Sequence, residues 1–233
     1  MQIKPSCPIC NSHDIGVFNG RENARCVNCG ALERTRFMFL LLNRMGILHP
    51  DTSVLHFAPE PGMFRRLSQL CSSYTPMDYN VDQYDKWSPE VRFVDLCDVD
   101  GTVTGTYDLI IHNHVLEHVP CSVSSVVAKL KARLNPGGVM LFSIPTRAGV
   151  ATSEDLDPSL THEERHARFG QWDHMRLFGA DDVIEILNGS EDNGAELVPA
   201  YDYISPKERE MALLPPAIER LSGHSIYKVA AAS

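Results

Sequence analysis

The chain has 233 residues, 43% of them apolar, enough to bury one substantial core plus a small appended module but not two full enzyme domains. No apolar stretch of signal-peptide length stands at the N-terminus, and the longest fully apolar run, residues 37–42, is too short to cross a bilayer, so a cytoplasmic protein with no membrane partner is expected. The net charge is −9, yet residues 1–45 hold six Lys/Arg against three Asp/Glu; the acidic body argues against a nucleic-acid substrate, while the basic head leaves room for an RNA contact.

Residues 1–30 are rich in Cys, Asn and Gly without periodicity, so something other than an apolar core must hold them. Cys7-Pro-Ile-Cys10 and Cys26-Val-Asn-Cys29-Gly30 are separated by 15 residues, the spacing at which two knuckles close a tetrahedral thiolate site around zinc. Four thiolates leave no open coordination position, so the zinc is expected to be structural. Cys71, Cys97 and Cys121 are scattered and read as reduced thiols. A helix follows from Leu32 to Met45, stopped by Gly46. The knuckle and this helix make a first module, residues 1–45, and residues 46–233 a second.

The second module alternates short apolar runs with helical ones. Strands are predicted over 53–57, 74–77, 91–94 and 107–112, with a helix over 62–70. A helix over 123–134, a break at Asn135-Pro136-Gly137-Gly138 and a buried strand over 139–144 continue the series. Residues 145–178 are polar and His-rich with no strand signal, an insert of the length that usually serves function. A helix over 181–187, a strand over 196–204, a short helix over 208–214 and a last strand over 225–230 close the chain. Such alternation predicts an α/β, Rossmann-like, doubly wound and mainly parallel sheet.

In that fold the loop after the first strand of the alternation holds a cofactor. Here it reads Ala58-Pro59-Glu60-Pro61-Gly62. Ala58 and Glu60 occupy positions that are glycines in the dinucleotide fingerprint, and a carboxylate there repels phosphates. Asp78 ends the next strand and can accept both hydroxyls of a ribose; Asp95 ends the one after and can accept an adenine amino group, with the backbone amide of Leu96 or Cys97 as donor to a ring nitrogen.

From Tyr107-Asp108-Leu109-Ile110-Ile111-His112-Asn113-His114-Val115-Leu116-Glu117-His118-Val119 and Leu134-Asn135-Pro136-Gly137-Gly138, the chain resembles class I S-adenosylmethionine-dependent methyltransferases over residues 53–145. Thr152 to Asp155 and Arg165 through Arg176 look like a zinc-knuckle subgroup. The resemblance implies a seven-stranded sheet with an antiparallel last strand, with S-adenosylmethionine across the carboxyl ends of its first four strands. That cofactor has no phosphate, so Glu60 is compatible and suited to its ammonium. Ala58, Glu60, Gly62, Asp78, Asp95, Leu96 and Asn113 form the expected cofactor set, and the partner is a small-molecule methyl acceptor.

His114, His118 and His174 are the candidate catalytic residues. Methyl transfer needs alignment of the nucleophile, and a base where that nucleophile is a hydroxyl or ammonium. His174 is the favoured base, carried by a segment, 169–176, expected to close over the cofactor. Three rivals stay open. A zinc-bearing RNA methyltransferase keeps the fold; a non-catalytic scaffold keeps only the shape. His162-Glu163-Glu164-Arg165-His166, with Glu185 beyond it, spells the H-E-x-x-H of zinc hydrolases, but its charged flanks do not make a buried amphipathic helix.

Overall fold

The computed structural model describes residues 4–215 and 222–231. At the N-terminus, β1 (Ile15–Phe18) and β2 (Arg21–Cys26) form an antiparallel hairpin that the sequence reading did not foresee. Its two-residue turn is Asn19-Gly20, both with positive φ, as a primed hairpin turn requires. Helix α1 (Glu33–Arg44) follows. The alternating body then runs β3 (Ser53–Phe57), α2 (Pro61–Leu70), β4 (Ser73–Asp78), β5 (Arg92–Phe93), α3 (Val99–Thr102), β6 (Tyr107–Asn113), α4 (Val123–Lys131) and β7 (Leu134–Ser143). The insert contains β8 (Thr146–Arg147), β9 (Ser153–Glu154), α5 (His162–Phe169) and β10 (Arg176–Gly179). After it come α6 (Val183–Asn188), β11 (Glu196–Leu197), α7 (Ala200–Tyr203), α8 (Pro206–Met211) and β12 (Ile226–Ala230).

Seven strands form the central sheet in the order β11-β12-β7-β6-β3-β4-β5. Pairing is parallel from β7 to β5, whereas β12 lies antiparallel to both β7 and β11. The fold is therefore the expected Rossmann-like α/β arrangement. Chain order reverses between β3 and β6, which makes the region beyond their carboxyl ends the topological switch point where such sheets hold ligands.

Strand alternation divides the core between two faces. Leu55, Phe57, Ile110, Met140, Phe142 and Val229 pack against α4 and α6. Val54, Leu109, Ile111, Leu141 and Ile226 pack against α1, α2 and the knuckle residues Cys7, Ile9, Cys26 and Cys29. The apolar side of the knuckle thus merges with one face of the sheet. Arg36 of α1, fully buried, fastens this junction: its guanidinium donates to the carbonyls of Asn23, Ala24 and Ala31 on one side and of Ala212 and Leu213 on the other.

Several expectations need correction. The Asn135–Gly138 break lies inside β7 as a bulge, since pairing jumps from Tyr107–Leu134 to Leu109–Val139. Gly137 takes positive φ there, and a Cβ on Gly138 would come within 2.8 Å of Asn135 O. The strand expected over 196–204 stops at Leu197, and Pro199 turns the chain into α7. The insert, expected to lack strands, folds into a three-stranded sheet of order β8-β10-β9. Cys97 and Cys121 were expected to be free, but the turns after β5 and β6 bring their Cα atoms to 5.9 Å and the two are disulfide-bonded. Among the described residues no helix is long and apolar enough to cross a membrane.

Candidate active site

At the switch point both flanking strands leave the sheet through strained backbone. Ala58 after β3 has φ 48° and His114 after β6 has φ 55°, a region that costs a residue with a Cβ roughly 1–2 kcal/mol and is retained where geometry is over-determined. The turn at Ala58 is held by its N–H donating to Met77 O at 2.9 Å, and the turn at His114 by its N–H donating to Ser143 O at 2.8 Å. These bends aim Glu60 and Asn113 at each other. Asn113 Nδ2 donates to Glu60 Oε1 (3.3 Å), Thr35 Oγ1 donates to the same oxygen (3.1 Å), and Asn113 Oδ1 accepts from Ser143 Oγ (2.8 Å). Burial pushes the Glu60 carboxyl up, but His56, whose Nε2 is 3.7 Å away, and Arg34 outweigh it and hold Glu60 below its ordinary range. A partly exposed, ionised acid therefore stands at the switch point, and its inner oxygen, Oε2, sealed beside His56, has no hydrogen-bond partner among the described residues.

The two acids further along the sheet edge are pre-oriented by their own turns. Asp78 accepts from Asn80 N and from Tyr84 Oη, both at 2.7 Å, which leaves lone pairs on each oxygen for hydroxyl donors. Asp95 caps the turn after β5 by accepting from Cys97 N at 2.8 Å. That amide, expected to meet a ligand ring nitrogen, is thereby occupied, and Leu96 is the remaining backbone candidate. Gly62 opens α2 facing the knuckle: a Cβ there would come within 3.0 Å of Cys29 O and Sγ. The structure thus joins Glu60 to Asn113 directly, lines Asp78 and Asp95 along the same edge, and turns Gly62 toward the cysteines.

The four cysteines converge as their spacing predicts. All their Sγ atoms lie within 4.8 Å of one another, with Cys7–Cys29 at 3.7 Å and Cys10–Cys26 at 3.5 Å. A tetrahedron of thiolates about 2.3 Å from zinc has edges of roughly 3.8 Å, so the donor set fits that ion. Tight turns make the cage: Asn11 and Gly30 both have positive φ and donate N–H to Cys7 O and Cys26 O. The Cys29 thiol beside it lowers Cys7 to about 5, while burial raises Cys26.

Beyond His114 the three histidines gather with an acid the sequence reading passed over. Glu117 is fully buried, neither of its carboxylate oxygens has a partner, and burial pushes it up to about 8. His114 Nδ1 lies 3.5 Å and His118 Nε2 3.9 Å from Glu117 Oε1. The rings of His118 and His174 stand nearly perpendicular with centroids 4.8 Å apart. Burial, then Arg34, pushes His114 down to about 4; burial, then His118, lowers His174. His118 is the most exposed of the three and His174 is nearly inaccessible. Arg176, buried, donates to Leu116 O, Cys121 O and Glu154 Oε2. Met175 N donates to Glu117 O. The segment 169–176 is thus tied to the turn after β6. Glu117 stands in the very motif that carried the family resemblance; nothing local distinguishes it from a solvated acid.

The H-E-x-x-H pattern assembles nothing comparable. His162 and His166 lie exposed on α5, while Arg165 between them is buried and donates to Asp155 O, Asp157 O and His174 O. Among the described residues, no cluster of potential metal ligands contains His162, His166 or Glu185.

A family model described as a methyltransferase domain matches residues 31–197. Among solved structures, an S-adenosylmethionine-dependent methyltransferase from Clostridium acetobutylicum aligns with TM-score 0.51 at 10% identity, over 86% of this chain and 92% of that one. The 1,6-didemethyltoxoflavin-N1-methyltransferase of Burkholderia thailandensis, crystallised with 1,6-didemethyltoxoflavin and S-adenosylhomocysteine, gives 0.50 at 18% identity over 86% and 79%. An O-methyltransferase family protein from Burkholderia thailandensis gives 0.50 at 14% over 84% of this chain, which spans only 55% of that one. At these identities the likeness is one of fold. No curated protein sequence matches the chain significantly.

Proposed function

The chain belongs to the methyltransferase-domain family as a class I S-adenosylmethionine-dependent enzyme, and from that premise we propose that it methylates an oxygen or nitrogen of a small polar metabolite, a sugar or a secondary-metabolite intermediate. The observation that carries this reading is the Glu60–Asn113 hydrogen bond across the switch point, with Asp78 ending β4 and Asp95 capping the turn just after β5. When bound, S-adenosylmethionine supplies a methyl group already activated on a sulfonium. Ala58 and Glu60 border its amino-acid end, and the Glu60 carboxylate takes the ammonium. Asp78 accepts the ribose hydroxyls; Asp95, with the Leu96 backbone, takes the adenine; Asn113 fixes Glu60. The histidines His174, His114 and His118 border the acceptor, with His174 as the base for its proton.

In the same reading, Cys7, Cys10, Cys26 and Cys29 hold a structural zinc in the 1–45 module, and residues 46–233 form the catalytic unit. The acidic body, net −9 overall, favours a small acceptor over RNA. Calorimetry with S-adenosylmethionine tests the proposal. Asp78→Ala should weaken binding by about 2–4 kcal/mol, roughly 30- to 700-fold, because two hydroxyls lose a charged acceptor. Unchanged affinity in that variant, or no binding by the wild type at micromolar protein, refutes it.

A further inference from the structure

A buried carboxylate with no partner is costly, because desolvation of the charged form is not repaid by any donor. Glu117 is in that position, fully buried and with both oxygens bare among the described residues, where no Lys or Arg forms an ion pair with it; its close neighbours are imidazoles. Those imidazoles are arranged in one particular way. His118 Nδ1 lies 3.3 Å from Asp173 O, and His174 Nδ1 lies 3.3 Å from Phe169 O. A backbone carbonyl on Nδ1 fixes the tautomer with the proton on that nitrogen, which leaves Nε2 of each ring with its lone pair free, the form in which histidine ligates metals.

We propose that Glu117, His118 and His174 form a second metal site, distinct from the cysteine cage, which takes a divalent first-row transition ion and through it binds and orients a hydroxyl oxygen of the methyl acceptor. One potential ligand atom from each of the three residues lies within 4.8 Å of the others, and His118 Nε2 is 3.9 Å from Glu117 Oε1. Ligands about 2.0–2.2 Å from a common ion stand roughly 3–4 Å apart, so a shift of about an ångström or less in side-chain torsions closes the site. Two imidazoles and one carboxylate suit manganese, iron, cobalt or zinc, and they leave positions open for a substrate oxygen. The scaffold is rigid where it must be. Arg176 anchors the Leu116–Cys121 turn, Met175 N ties the His174 segment to Glu117 O, and Arg165 donates to the His174 carbonyl. With the ion bound, His118 and His174 serve as ligands and the role of base passes to His114, whose Nδ1 lies 3.5 Å from Glu117 Oε1. The role given to the ion rests on the methyltransferase reading above; the site itself rests on these side chains alone.

Manganese is the probe, because it competes poorly for thiolates and so leaves zinc in the cysteine cage. Electron paramagnetic resonance of free Mn²⁺, titrated with the full-length zinc-loaded protein, should show one ion bound per chain. His118→Ala, at a half-exposed position, should keep the wild-type circular dichroism spectrum and zinc content yet bind Mn²⁺ at least about tenfold more weakly; Glu117→Gln should do the same. Wild-type protein that takes up neither Mn²⁺ nor a second equivalent of Co²⁺ or Zn²⁺ overturns the site, as does a folded His118→Ala that binds Mn²⁺ as tightly as wild type. Calorimetry with S-adenosylmethionine on the same samples keeps the two ideas apart. Cofactor binding without any second metal removes only the site, while metal binding without cofactor binding removes the methyltransferase assignment and leaves the site standing.

Discussion

Replacing Arg36 by methionine keeps the length of the side chain and removes every donor from the junction between knuckle, α1 and the segment after α8. Five carbonyls lose a donor, of which Ala31 O keeps the N–H of Cys26 as a partner. Three of those bonds, to Ala24, Ala31 and Ala212, are buried, while those to Asn23 and Leu213 are partly exposed and can find water. A buried carbonyl left bare costs about 1–3 kcal/mol. Two buried carbonyls, those of Ala24 and Ala212, are left bare, and relief of the guanidinium's own desolvation offsets part of that, so the net loss should be about 2–4 kcal/mol. With a urea slope of about 2 kcal/mol/M, the unfolding midpoint should fall by roughly 1–2 M. Arg36→Lys retains the charge but cannot reach five carbonyls from one nitrogen, and should recover less than half of the loss. Circular dichroism through a urea titration, with zinc release followed in parallel, reads both numbers. A midpoint within about 0.5 M of wild type at unchanged slope would refute the reasoning, because the knuckle would then not depend on this cation for its seat.

The zinc expectation is direct: metal analysis should find zinc held by the cysteine cage, and a Cys10→Ser, Cys26→Ser double variant should lose it; zinc undiminished in that variant removes the knuckle. His174→Ala should bind S-adenosylmethionine like wild type but methylate at least about a hundredfold more slowly; intact turnover takes His174 out of catalysis. His112, buried against Phe142 with neither ring nitrogen bonded, is pushed down to about 3 by desolvation. Its folded value lies below the ordinary 6.5, so the stability it confers is complete above that value and drains away as pH falls from 6.5 toward 3. His112→Phe should therefore flatten the drop in stability between about pH 7 and about pH 5 by about 2 kcal/mol, and an unaltered slope would contradict the buried neutral imidazole.

Much of this protein was legible because its signals are local. The doubled CxxC spacing foretold a cage whose sulphurs do converge, since a knuckle is made by a few residues and their turns. Ser53–Phe57 and Tyr107–Asn113 announced themselves as apolar strand runs, and the order of acids after them located Asp78 and Asp95 on one edge. Where pairing rather than composition decides, the reading failed. Leu134 joins β7 because Tyr107 lies opposite it, across a bulge that the Pro-Gly-Gly turn disguises as a break. β8, β9 and β10 have two to four residues each and exist only through one another.

The site divides along the same line. Sequence alone determined that this chain would wind an α/β sheet, bring four cysteines together and set Asp78 and Asp95 at or just past the ends of successive strands, because periodicity and spacing are properties of neighbours along the chain. Tertiary structure alone decided that Glu117, an unremarked letter after β6, would be sealed from water beside His118 and His174, and that Cys97 would meet Cys121. It also decided that Arg36 would lie under the knuckle with five carbonyls around it. Burial and encounter are set by which distant segments pack together, and the free energy of a charge or a thiol depends on that environment far more than on its neighbours in sequence.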